Sequence, residues 1–213
     1  SEEASARVGG GTLSAAQASA LEPNWTLREA LRSRSLWSLT IASALSFFLG
    51  AGLHLHLYPY LTDAGLTVSE AVLAASVYFA VAGAGAVVWG VILDRFPLRY
   101  CMAIGFLASG AGIVVLIFTN SLLMALVFGV LFGISFGGAH TITQVMWATY
   151  YGRANVGTIS GALLPIQLVT NAIGPLFGGW MYDTNGNYVA AFTIYAVLAF
   201  VAGVVALVAG APQ

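Results

Sequence analysis

The chain contains no lysine, and all seven of its cations are arginine. Charged residues make up only 7% of its 213 residues, and the formal net charge is −1. No basic stripe is available, which excludes nucleic acid as a partner. Cys101 is the single cysteine, so an internal disulfide and a cysteine-based metal cluster are both excluded. No nucleophile–base pair, phosphate loop or metal-ligand spacing is found, so no enzyme activity, cofactor or metal is expected. Gly83-Ala-Gly85 lies in an apolar run with no strand before it, which rules out a nucleotide motif. The opening segment has no apolar core of signal-peptide type. The chain begins at Ser1, and a fragment or a processed chain is the expectation.

What the chain does have is apolar length. Hydrophobic residues reach 59% and the mean hydropathy is +0.89. A soluble domain has roughly 45–50% apolar and 25% charged residues, so an integral membrane protein is expected. Six continuous apolar runs, 36–60, 72–93, 100–119, 122–147, 156–182 and 189–208, each approach the ~20 residues that cross ~30 Å of hydrocarbon. Their continuity argues against alternating barrel strands, so the fold class is all-α. Two parts are expected: a cytoplasmic linker and interfacial helix over 1–35, and a six-helix membrane domain with a short tail over 36–213. Ser1–Ala20, rich in Ala, Ser and Gly, reads as a flexible linker. A short helix should follow from Asn24 as its cap, with Trp25 and Trp37 at headgroup depth.

The arginines set the expected orientation. Arg7, Arg28, Arg32 and Arg34 precede the first run, Arg95 and Arg99 follow the second, and Arg153 follows the fourth. All fall on one side, so both termini should be cytoplasmic.

One of these turns carries a pattern, Gly90-x-x-x-Asp94-Arg95-x-x-x-Arg99. On charge alone it is an ordinary positive-inside turn. Its order also resembles the cytoplasmic loop signature of the major facilitator superfamily of transporters. There the Gly allows close helix approach, and the Asp and Arg hold one gating state. Pro97 stands where members usually carry Gly, which implies a stiffer turn. Thr26-Leu-Arg-Glu-Ala-Leu-Arg-Ser-Arg-Ser-Leu-Trp37 resembles the entry to the seventh helix of a twelve-helix member. His56-Leu-Tyr-Pro-Tyr-Leu-Thr-Asp63 is similar to that helix's outer end. Tyr150-Tyr-Gly-Arg153 and Gly174-Pro-Leu-Phe-Gly-Gly-Trp-Met-Tyr-Asp183 resemble the two ends of the eleventh. The resemblance covers roughly Thr26 to Val208 and is nearest to bacterial monocarboxylate-porter-like and oxalate/formate-antiporter-like members.

The resemblance implies a C-terminal half, with Ser1–Ala20 in the central loop. It also implies a plasma-membrane protein (in bacteria, the cell inner membrane). Such transporters rock two halves about a midplane site. The missing half would be a separate chain, a removed segment or a second copy. The implied function is symport or antiport of a small organic solute. The expected class is an organic anion such as a monocarboxylate, with a proton or an exchanged anion as coupling partner. Carriers of this branch often place Arg or Lys on the eighth or eleventh helix, and here 72–93 and 156–182 contain neither. The competing reading is a non-transporting membrane sensor or assembly module.

Candidate substrate-binding residues follow from spacing. Gly129, Gly133 and Gly137 share a face that permits close helix contact, and His140 and Gln144 continue near it. Gln167 and Asn171 are also four apart, bracketed by Pro165 and Pro175. Polar groups at such depth face a cavity or hydrogen-bond between helices, and both readings stand. The expectation is that His140, Gln144, Gln167 and Asn171 line one cavity with Tyr78 at its edge. His140 is the proton-coupling candidate. His54 and His56 point roughly 200° apart on a helix and read as interfacial side chains.

Overall fold

The computed structural model describes the backbone of residues 6–8, 11–13 and 25–208, with side chains over 25–207 apart from that of His140. Within the expected linker, strand β1 (Ala6–Val8) pairs antiparallel with β2 (Gly11–Leu13), Ala6 opposite Leu13. The rest of Ser1–Ala20 and the expected cap Asn24 lie outside the described residues.

Helix α1 spans Leu27–Arg32. Its cap is Thr26, not Asn24, because Thr26-Leu-Arg-Glu29 is a reciprocal capping box. The Glu29 carboxylate accepts from the Thr26 N–H at 2.8 Å, and Thr26 Oγ1 accepts from the Glu29 N–H at 3.4 Å. Those bonds from Thr26 hold the exposed Glu29 carboxyl below its ordinary range. α1 is docked rather than isolated. The Asn155 side chain donates to the Trp25 carbonyl at 3.0 Å, and the Trp25 and Tyr151 rings meet edge-on at 5.9 Å.

Six long helices follow: α2 (Arg34–Asp63), α3 (Val68–Leu93), α4 (Leu98–Ile117), α5 (Leu122–Tyr151), α6 (Val156–Asn185) and α7 (Val189–Val208). All six are long and apolar enough to cross a membrane. The chain is therefore an all-α, multi-pass integral membrane protein. The helices outrun the apolar runs where polar residues continue the turn. A second capping box, Thr67 with Glu70, starts α3 four residues before the expected 72. Gly152 and Gly186, at φ 83° and 71°, stop α5 and α6 in a conformation other residues rarely adopt. Pro97 precedes α4 as its N-cap, where a missing N–H costs little.

The helices pack as pairs, α3 on α5, α2 on α6 and α4 on α7, with α4 also against α5. One apolar core, with Leu53, Tyr78, Phe128, Phe132 and Tyr195, fills the bundle from mid-depth toward the end opposite the arginine-bearing turns. A second core, with Leu36, Trp89, Trp147 and Tyr151, fills the other end. α6 buries only Ile159, Leu163, Gly174 and Gly178.

Candidate functional site

The glycine stripe of α5 lies directly on α3. A Cβ at Gly133 would sit 2.9 Å from the Tyr78 carbonyl oxygen, and one at Gly137 would overlap the Ala82 carbonyl. From the other side, a Cβ at Gly85 would lie 2.8 Å from the Ile134 carbonyl. Backbone thus meets backbone, as small residues at this spacing allow. Trp89 Nε1 donates to the Ile134 carbonyl at 3.0 Å and ties the pair.

That close approach buries Tyr78 completely. Its hydroxyl hydrogen-bonds His54 Nε2 of α2. The half-buried His54 ring meets Phe136 edge-on at 4.5 Å and lies 5.6 Å from Phe79. An imidazole, a phenol and two phenyl rings therefore converge where α2, α3 and α5 meet. His56 points the other way, as a two-residue offset requires. It is buried, and its Nε2–H donates to the Pro175 carbonyl on α6 at 2.9 Å. Tyr195 donates to the adjacent Gly174 carbonyl at 2.8 Å. Proline 175 has no N–H for the helix ladder, and side-chain donors from α2 and α7 gather at that break. Neither histidine is the interfacial side chain expected from sequence.

The expected constellation is divided by the fold. Tyr78 is inside the packing and turned to His54, not at a cavity edge. Gln167 donates to Ser43 Oγ on α2 at 3.4 Å, and Ser43 donates on to the Thr40 carbonyl at 2.9 Å. It bridges two helices. Asn171 and Gln144 are exposed. His140 lies on α5, and its side chain is outside the described residues. A cavity of about 20 Å³ between α2, α4 and α5 is edged by Ser43, Ser46, Ser109, Ser135 and Thr143. That is room for about one water molecule and not for a solute. Spacing could not reveal the His54–Tyr78 pair, because its members are 24 residues apart on different helices.

At the turn between α3 and α4, Asp94, Arg95 and Arg99 are all exposed. Asp94 is the C-cap of α3, and the Arg95 and Phe96 N–H groups both donate to the Ile92 carbonyl at 3.0 Å. Arg99 donates to the Tyr100 hydroxyl at 3.0 Å, with its guanidinium carbon 4.7 Å from that ring's centre. A Cβ at Gly90 would meet nothing within 4 Å, so among the described residues no helix approaches it closely.

Residues 36–212 match the sequence profile of the Major Facilitator Superfamily. The chain belongs to that superfamily. Membership places it among membrane transporters and agrees with the signature at Gly90–Arg99. Monocarboxylate transporter 12 of Xenopus laevis is 29% identical over 145 residues, 65% of this chain and 31% of the relative. The Rattus norvegicus protein of the same name is 26% identical over 146 residues, 67% of this chain and 30% of the relative. An uncharacterized MFS-type transporter of Schizosaccharomyces pombe is 29% identical over 110 residues, 51% of this chain and 25% of the relative. The chain thus spans about a third or less of the length of these curated relatives. The crystal structure of a bacterial homolog of the human lysosomal transporter Spinster, inward-facing and unoccupied, superposes with a TM-score of 0.65 at 20% identity. It covers 86% of this chain and 49% of its own, so this superfamily member has the fold of half a transporter.

Proposed function

We propose that the chain serves as one half of a secondary transporter that moves a small organic anion, such as a monocarboxylate, by alternating access. The observation that carries the proposal is the His54–Tyr78 pair, set among Phe79 and Phe136 where three helices meet. α3 and α6 contribute no Lys or Arg, so a protonated imidazole is this half's means of meeting a carboxylate. His54 is the candidate for a switchable charge, because histidine is the side chain suited to gain and lose a proton, and Tyr78 orients it. His140, Gln144, Gln167 and Asn171 would complete the polar surface, with His140 as second candidate for the switchable charge. The relatives named for monocarboxylate transport support the substrate class.

The opposing wall would come from a second six-helix unit, on a separate or continuous chain or as a second copy. It would cover the exposed face of α3 and the Asn171 face of α6. The arginine-bearing turns would face the cytoplasm. Asp94 and Arg95 would stabilise a state closed on that side, and the open space beside Gly90 would receive the other half.

Counterflow of labelled lactate into proteoliposomes holding the complete transporter tests the proposal. Saturable uptake driven by internal lactate is the expected result. Its absence for lactate, pyruvate and oxalate alike, with the protein correctly inserted, overturns the anion-transport reading and favours a sensor or assembly role.

A further inference from the structure

A groove lies between α2, α6 and α7. Its volume is about 450 Å³, and its lining includes Trp37, Ile41, Ala44, Phe48, Ile166 and Leu198. Two threonines in the wall present no polar atom that seeks a partner. Thr40 Oγ1 donates to the Leu36 carbonyl at 2.7 Å, and Thr170 Oγ1 to the Ile166 carbonyl at 2.9 Å. Their hydroxyls are spent on their own helices, so the wall is apolar throughout.

The depth of the groove is specific. Phe48, Thr170 and Leu198 each stand at the middle of their helices, and Trp37 stands one turn from the start of α2. From Trp37 to Phe48 the helix rises about 16 Å. Half of a hydrocarbon core is about 15 Å. The groove therefore spans one leaflet, from the arginine-bearing end of the bundle to the midplane.

Arginines flank its Trp37 end in the chain, where Trp37 Nε1 donates to the Leu31 carbonyl of α1 at 2.9 Å. Arg34 opens the helical stripe that continues through Trp37, Ile41 and Phe48. Arg28 and Arg32, both exposed, lie just before it on α1. The nearby acid, Glu29, is engaged by Thr26. Ser33, the N-cap of α2, makes no side-chain cap bond, and the N–H groups of a helix start add to the positive field.

We propose that this groove holds one acyl chain of an anionic phospholipid, with the headgroup phosphate on Arg34 and Arg32. An apolar slot one leaflet deep selects an acyl chain, and the arginines at its mouth select a negative headgroup. The inference concerns a groove that His54 does not line and stands whether or not the transported solute is an anion.

Native mass spectrometry of the purified chain, released from nanodiscs of equal phosphatidylglycerol and phosphatidylcholine, tests it. The expected spectrum shows one retained phosphatidylglycerol. Arg32→Gln with Arg34→Gln should weaken that preference by about fivefold per arginine and leave phosphatidylcholine retention unchanged. Ile41→Trp with Ala44→Leu should fill the slot and abolish retention of both lipids. Val87→Trp, an equally bulky change at an exposed site on α3, should leave retention as it is. Equal retention of both lipids by the wild type overturns the headgroup assignment. Undiminished retention in the filled variant overturns the groove. The arginine variants are exposed and do not depend on repacking, so failure of the filled variant to fold still leaves a decisive measurement.

Discussion

Two helix pairs built from similar small residues behave differently. α3 and α5 meet backbone to backbone along Gly85, Gly133 and Gly137, and the aromatic row Phe128, Phe132 and Phe136 stacks beside Tyr78. α2 and α6 also approach at Gly52 and Gly174. There a Cβ at Gly174 would overlap the Phe48 carbonyl, and away from that one backbone contact the pair is held by the His56 bond to the Pro175 carbonyl and by the Gln167–Ser43 bond. The first pair is a continuous steric lock. The second is a single close backbone contact with separate polar links, around a helix whose ladder prolines interrupt twice.

The α3–α5 lock is most sensitive at Gly137. Gly137→Leu drives a side chain into the Ala82 carbonyl and should cost at least about 1–3 kcal/mol, read as a large drop in thermal unfolding temperature in nanodiscs. The same change at Gly90, where space is open, should leave this chain's stability unaltered. Next is His56→Leu on the softer pair. It removes the donor to the Pro175 carbonyl, with an expected loss of about 1–2 kcal/mol and faster backbone exchange confined to α6. Gln167→Ala should cost only about 0.6 kcal/mol, because Thr40 keeps its share of Ser43. Equal costs for His56→Leu and Gly137→Leu would erase the distinction. The smallest effect lies outside the membrane. Glu29 is held below the ordinary carboxylate range by Thr26, so the α1 cap is fully present at neutral pH. It is lost as acid protonates Glu29, and amide exchange at Thr26 and Glu29 should accelerate below the carboxylate range but not at pH 6.

The six spans were legible because each is a continuous apolar run, and the glycine stripe of α5 because a period of four is visible in one helix. Helix starts were less so. The run ending at 93 begins at 72 by hydropathy, yet α3 begins at Val68 because a Thr67–Glu70 box adds polar turns. Thr26-x-x-Glu29 carries the same signal, and it outweighs Asn24 as a cap. The site was the least legible. Gln167 and Asn171 share a face by spacing, but α2 reaches only the first. His54 and Tyr78 meet through packing across helices, and neither position carries a local pattern that marks it.

In the proposed mechanism His54, oriented by Tyr78, supplies the switchable charge of this half. The pH dependence of lactate counterflow by the complete transporter, measured from about pH 5 to 8 for wild type, His54→Gln and His140→Gln, tests it most directly. The expected result is a flattened profile in His54→Gln and a retained slope in His140→Gln. A wild-type profile in His54→Gln would contradict it.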